Sequence, residues 1–276
     1  MSYQVPAPGG LPGQRELMTG RACFTEAYAV MPHGVMRDIV ASFLPHWASA
    51  RFWVLARPLS GFAETFSQYL CELAPGGGSD QPESDANAQA VLFVTEGSLQ
   101  LSLAEQSHSL RPGSFVFLPA GLAWTLHNRD TDEPARFHWI RKAWQPVDGV
   151  EAPPAMVAHE SDVTPIDMPG TQGTWSTTRF IDPDDMRYDF HVNIVNFEAG
   201  GCIPFEETHV MEHGLFVLEG KATYKLNTDW HEVEAGDFLW LRAFCPQACY
   251  AAGPGRFRYL LYKDVNRHAP LSVTAR

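Results

Sequence analysis

Two stretches of this chain repeat each other at a fixed distance. "VLFVTEGSLQLSL" (91 to 103) and "GLFVLEGKATYKL" (214 to 226) align without a gap at an offset of 123 residues. "RPGSFVFLPAGLAW" (111 to 124) and "EAGDFLWLRAFCPQ" (234 to 247) align at the same offset, which also carries Gly78 onto Gly201, Gly97 onto Gly220 and Gly113 onto Gly236. Composition alone does not hold one register across three glycines and two strand-like runs, so the chain is two copies of one unit. Its 276 residues suffice for two cores. The Pro-rich "QPVDGVEAPPAM" (145 to 156) reads as the joint, and we expect domains at 1–150 and 151–276.

The repeated unit reads as β. Short apolar runs such as "GSFVFLPAG", "FHVNIVNF", "GDFLWLRAF" and "RFRYLLYK" are bounded by Gly, Pro, Asn and Asp, the pattern of a sandwich or barrel. Only residues 36 to 50 suggest a helix, and Pro45 interrupts it. A net charge of −12 disfavours nucleic acid or an anionic membrane as partner. The five cysteines are odd in number and contain no Cys-x-x-Cys pair, so we expect reduced, buried small hydrophobes. The N-terminal stretch has no signal-peptide core, and no run of 18 or more apolar residues occurs. A soluble cytoplasmic protein is expected.

The chemistry concentrates in "ETHVMEH" (207 to 213), which fits two templates. On a helix, His-x-x-Glu-His is the inverted zinc-peptidase motif with Glu212 as general base. On a strand, Glu207, His209 and His213 share one face and Glu212 points to the other. Gly214 follows at once and "LFVLEGKATYKL" continues as a β-hairpin in register with its repeat, which favours the strand. Under that reading Glu207→Gln is the damaging change, whereas a peptidase would be abolished by Glu212→Gln. Asp189, His191 and Asn193 alternate with apolar residues in "YDFHVNIV", so their face is polar and either lines the pocket mouth or, the favoured reading, is solvated. Cys245 and Cys249 read as packing groups on either side of Gln247, and His231 and Arg242 as surface or rim residues.

The spacing of these residues resembles the cupin family, small jelly-roll barrels with two motifs. The first is Gly, five residues, His-x-His, three or four residues, Glu, six residues, Gly; the second is Gly, five residues, Pro-x-Gly, two residues, His. Gly201, Glu207, His209, His213 and Gly220 match the first spacing, and Gly236 and Gln247 the second, with Arg242 and Phe244 where the family has Pro and Gly. The first half keeps Gly78, Gly97, Gly113, Pro119 and Gly121. The resemblance implies an all-β chain of two cupin barrels in tandem, a bicupin. At the family's metal positions the second copy has Glu207, His209, His213 and Gln247, and the first has Ser84, Ala86, Ala90 and Trp124, which cannot form a site. The N-terminal barrel should therefore be metal-free, a structural or dimerising copy in a homo-oligomer.

Glu, His and Gln at the ligand positions, together with "YLLYKDVNRH" (259 to 268), look like the (S)-ureidoglycine aminohydrolase group, also labelled glyoxylate-induced proteins. That resemblance implies hydrolytic deamination of a small ureido substrate in purine and allantoin catabolism. It implies Mn²⁺ on Glu207, His209, His213 and Gln247, with Lys263, Tyr259 and Tyr224 around the substrate. Imidazole, carboxylate and amide oxygen together suit Mn²⁺ or Fe²⁺, and zinc ranks lower because it prefers tetrahedral sites richer in nitrogen and sulfur. No organic cofactor is expected. An iron dioxygenase and a non-enzymatic metabolite-binding bicupin stay open beside the aminohydrolase.

Overall fold

A computed structural model of the chain describes residues 20–36, 40–58 and 63–264. The N-terminal stretch and the end of "YKDVNRH" lie outside the described residues. The first half contributes β1 (Cys23–Phe24), β2 (Tyr28–Met31), β3 (Ala48–Ala56), β4 (Ser67–Ser79), β5 (Ala88–Glu96), β6 (Leu99–Leu103), β7 (Gln106–Leu110), β8 (Ser114–Leu118), β9 (Trp124–His127) and β10 (Ala135–Ala143). The second contributes β11 (Met156–His159), β12 (Ile166–Asp167), β13 (Trp175–Arg179), β14 (Phe190–Phe197), β15 (Cys202–Glu207), β16 (His213–Glu219), β17 (Lys221–Leu226), β18 (Asp229–Glu234), β19 (Phe238–Leu241), β20 (Gln247–Tyr250) and β21 (Phe257–Asp264). No α-helix occurs among the described residues. The stretch from 36 to 50 is irregular where described: Ser42 bridges to Phe52, and β3 begins at Ala48.

The fold is all-β, two curled barrels in tandem. One is a nine-stranded sheet in the order β11-β8-β5-β10-β4-β9-β6-β7, with β3 on β4. The other is an eight-stranded sheet, β1-β2-β19-β16-β21-β14-β13-β12, facing a four-stranded one, β15-β20-β17-β18. The halves exchange strands. β2, from the start of the chain, pairs with β19, and β11, from beyond the Pro-rich joint, pairs with β8. Since β8 and β19 are equivalent strands of the repeat, the exchange is reciprocal.

"LFVLEGKATYKL" is not a hairpin, and here the structure corrects the sequence. β16 pairs with β19 and β21, whereas β17 pairs with β18 and β20 in the facing sheet. The chain crosses between sheets at Gly220, whose φ is +81° and where a Cβ would run into the Arg256 carbonyl oxygen. Gly97 stands at the equivalent turn, between β5 and the non-adjacent β6, in the first copy with φ +69°. A turn that demands left-handed backbone and close approach tolerates only glycine, which is why the repeat keeps it.

Each barrel has its own interior, one centred on Phe52, Leu101, Phe137 and Trp139, the other on Val195, Phe197, Leu215, Tyr224 and Tyr259. A third cluster fills the seam between the barrels, drawing on Phe93, Phe115, Ile140, Val192, Ile194, Trp240 and Tyr262. Tyr262 stacks on Phe66 at 3.9 Å, and Phe115 stacks on Phe180 at 4.2 Å. The central strands are thus buried on both faces, so their sequences read as continuous apolar runs rather than alternation. Of the cysteines, Cys71, Cys245 and Cys249 are buried and Cys23 and Cys202 partly exposed; all five are free.

Candidate functional site

Glu207, His209 and His213 do not share one strand. Glu207 ends β15 in the four-stranded sheet, His213 opens β16 in the eight-stranded sheet, and His209 lies in the loop between them. The expected i, i+2, i+6 alignment is replaced by a crossing between sheets, and the three side chains approach one another pairwise, through His209. His209 Nε2 lies 3.3 Å from Glu207 Oε1, and the rings of His209 and His213 are 5.0 Å apart. The loop is pinned by the Phe244 N–H, which donates to the His209 carbonyl at 2.7 Å. Gln247 pairs with Glu207 in register across β20 and β15, and Tyr224 donates its hydroxyl proton to Gln247 Oε1 at 2.9 Å.

Lys263 enters from the opposite wall. It lies in register between His213 on β16 and His191 on β14, so the three form one row on the inner face of the eight-stranded sheet. Burial and, to a lesser degree, Arg179 lower its pKa, while Glu207 opposes them. Burial pulls His213 down to about 3, with smaller effects from His209 and Lys263, so its ring is neutral. Its Nδ1 is buried without a hydrogen-bond partner. Burial also raises the pKa of Tyr224 and Tyr259, whose rings are 6.2 Å apart, so both hydroxyls stay protonated.

The donor set suits a cation. A carboxylate, two imidazoles and an amide oxygen are the ligand types of a borderline-hard divalent ion, and the unpartnered His213 nitrogen is neutral, as ligation requires. Among the described residues no three His, Cys, Asp or Glu side chains already stand close enough to hold an ion; the contacts are pairwise. In the first barrel, Ser84 and Ala86 lie in the β4–β5 loop and Ala90 on β5. Trp124 packs edge-on against Trp139 at 6.1 Å. Aromatic rings fill the space that is polar in the second barrel.

One expectation fails. The face of "YDFHVNIV" is not solvated: Asp189, His191 and Asn193 are all buried. Asp189 accepts from Lys142 Nζ and the Gln145 N–H, each at 2.9 Å, and ties the barrels together. The seam buries the other face of the same strand, so alternation marked two buried faces rather than one wet one. Glu212 does point away from the site, as the strand reading required, but into the seam. There its carboxylate accepts from the N–H groups of Glu64 (2.6 Å) and Thr65 (2.8 Å), the Thr65 hydroxyl (2.5 Å) and the Trp240 indole (2.6 Å). The helix that the peptidase motif needs is absent, since 208 to 212 is loop and His213 opens a strand. Arg242 is on the rim, 3.3 Å from Glu64, and His231 is half-buried against the Tyr28 hydroxyl. Cys245 and Cys249 have thiol pKa values raised by burial, as packing groups do.

Comparison with known proteins agrees with this architecture. The cupin domain family matches the chain twice, over residues 69–141 and 193–262. The (S)-ureidoglycine aminohydrolase of Arabidopsis thaliana is 31% identical over 230 residues, covering 83% of this chain and 74% of that protein. That of Escherichia coli K12 is 28% identical, covering 92% and 95%. A solved structure described as that of a glyoxylate-induced protein from Pseudomonas aeruginosa is 66% identical, with a TM-score of 0.90 over 97% of this chain and 98% of that one. No helix among the described residues is long and apolar enough to cross a membrane. The chain therefore belongs to the cupin superfamily and, within it, to the (S)-ureidoglycine aminohydrolase family of enzymes.

Proposed function

We propose that the protein deaminates (S)-ureidoglycine hydrolytically to (S)-ureidoglycolate and ammonia, as a step of purine and allantoin catabolism, with Mn²⁺ held by Glu207, His209, His213 and Gln247. What supports the reading is the pairwise approach of His209 to Glu207 and to His213, with Gln247 in register beside Glu207 and the partly buried Lys263 in register beside His213, in a chain of this family. Iron ranks behind manganese and zinc behind both, by ligand chemistry. When bound, such an ion supplies Lewis acidity, acidifying water and screening a carboxylate.

The chain's own residues do the rest. Deamination breaks the bond from carbon to the amine, joins a water-derived hydroxyl to that carbon, and must deliver a proton to the departing nitrogen. Lys263 is placed to orient the substrate carboxylate or to move that proton, and the second role is the one favoured by the burial that brings its pKa down toward the working range of a general acid. Tyr224 fixes the Gln247 carboxamide by donating to its oxygen. Tyr259 walls the interior beside Tyr224, their rings 6.2 Å apart, and burial keeps its hydroxyl protonated. The test is ammonia release from freshly generated ureidoglycine with and without Mn²⁺. A Mn²⁺-dependent rate above the spontaneous one is expected, and its absence sinks the reading.

A further inference from the structure

The inner face of the eight-stranded sheet carries polar side chains that the four proposed ligands and Lys263 leave unexplained. His191 continues the row of Lys263 and His213. One step deeper, Asn193 on β14 pairs with Arg179 on β13 and Leu261 on β21. Parity places these residues inside the barrel: Trp175, Val195 and Tyr259, on the same faces of their strands, belong to the interior cluster, whereas Val192, Ile194 and Leu260 belong to the seam. The next row, Thr177, Val195 and Tyr259, is the floor.

Asn193 is 3% exposed, and its Oδ1 has no hydrogen-bond partner. A buried amide oxygen left without a donor is rare in native proteins, because burial removes its water and nothing replaces it. The first barrel does not keep this feature. There Ser67 and Tyr69 pair with Arg141 and Trp139, as His191 and Asn193 pair with Lys263 and Leu261. The carboxamide belongs to the barrel that has the candidate site, and it faces the same interior.

Resting on the substrate reading above, we propose that Asn193, flanked by His191, recognises the ureido end of the substrate. The unpartnered Oδ1 accepts a ureido N–H, and the side-chain N–H₂ donates to the ureido carbonyl. A carboxamide is the complement of a ureido group, since each offers one acceptor and planar N–H donors. The substrate carboxylate, being charged, goes to Lys263 and the ligand cluster instead, which orients the molecule across the row.

Titration calorimetry on the full chain with Mn²⁺ tests this with two stable probes that carry no leaving amine. N-carbamoylglycine has the ureido and carboxylate groups, and N-acetylglycine lacks the terminal N–H₂. Wild-type protein should prefer the carbamoyl compound by about tenfold or more, since a site built around a polar group discriminates against ligands that leave it unpaired. Asn193→Leu should weaken N-carbamoylglycine by about 10- to 100-fold, leave N-acetylglycine within about threefold, and melt no lower than wild type because an unsatisfied acceptor is removed. Should that variant not fold, Asn193→Ser carries the same comparison. A preference retained in the variant, or equal weakening of both probes, overturns the inference alone. A wild-type protein without preference overturns it together with the substrate reading.

Discussion

Glu207 and Glu212 stand five residues apart and serve opposite sides of the same wall. Glu207 faces the barrel interior beside His209, and Glu212 faces the seam, where four donors from Glu64, Thr65 and Trp240 surround it. Glu212→Gln should lower stability by about 2–4 kcal/mol, because charge-assisted bonds are replaced by mismatched donors. Thermal or denaturant unfolding would show it, with ammonia release per folded molecule nearly unchanged. Glu207→Gln should do the reverse, leaving the melting temperature within a degree or two and lowering retained manganese by at least about tenfold after dialysis. The residue types of the candidate site were legible in "ETHVMEH". What Glu212 does was not, since its backbone partners lie 147 and 148 positions away in the chain.

The strand segments were legible as apolar runs, but their partners were not, because pairing depends on where a turn sends the chain. Gly220 sends it across to the facing sheet. Gly220→Ala should cost about 1–3 kcal/mol through left-handed strain alone, and more through the clash with the Arg256 carbonyl; chemical denaturation measures it. β10 carries a second test. His138 is wholly buried, lies 3.4 Å from Gln68 Nε2 and packs 4.1 Å from the Phe216 ring, and burial lowers its pKa from 6.5 to about 3. Above pH 6.5 the ring is neutral in folded and unfolded chain alike, so its contribution is complete. Between pH 6.5 and about 3 the unfolded chain takes up a proton that the folded one refuses, and stability falls by at most about 1.4 kcal/mol per pH unit. His138→Leu should flatten this acid limb in urea titrations at stepped pH, and an unchanged slope would refute the assignment.

The two barrels are one cooperative body because each lends the other a strand and because the seam holds a core of its own. Tyr28, in the arm that precedes the first barrel, sits in the interior of the second and donates to Asp229 at 2.5 Å. The full chain should therefore melt in a single calorimetric transition. A fragment of residues 151–276 lacks β2 and exposes the seam faces of β14, β16, β19 and β21, so it should show no cooperative unfolding and should aggregate. Two independent transitions in the full chain would refute the shared core.

Local chemistry was enough to show a duplicated β unit, glycines at fixed spacing and a candidate ligand set present in one copy only. Each of these depends on residue type, backbone freedom and separation along the chain, all of which are written in the sequence. The gathering of Glu207, His209 and His213 from two sheets, the burial of His191 and Asn193, the seam role of Glu212 and the strand exchange depend on which surfaces meet. A strand buried on both faces carries the same letters whether its second face meets solvent or another barrel, and only packing in three dimensions removes that ambiguity.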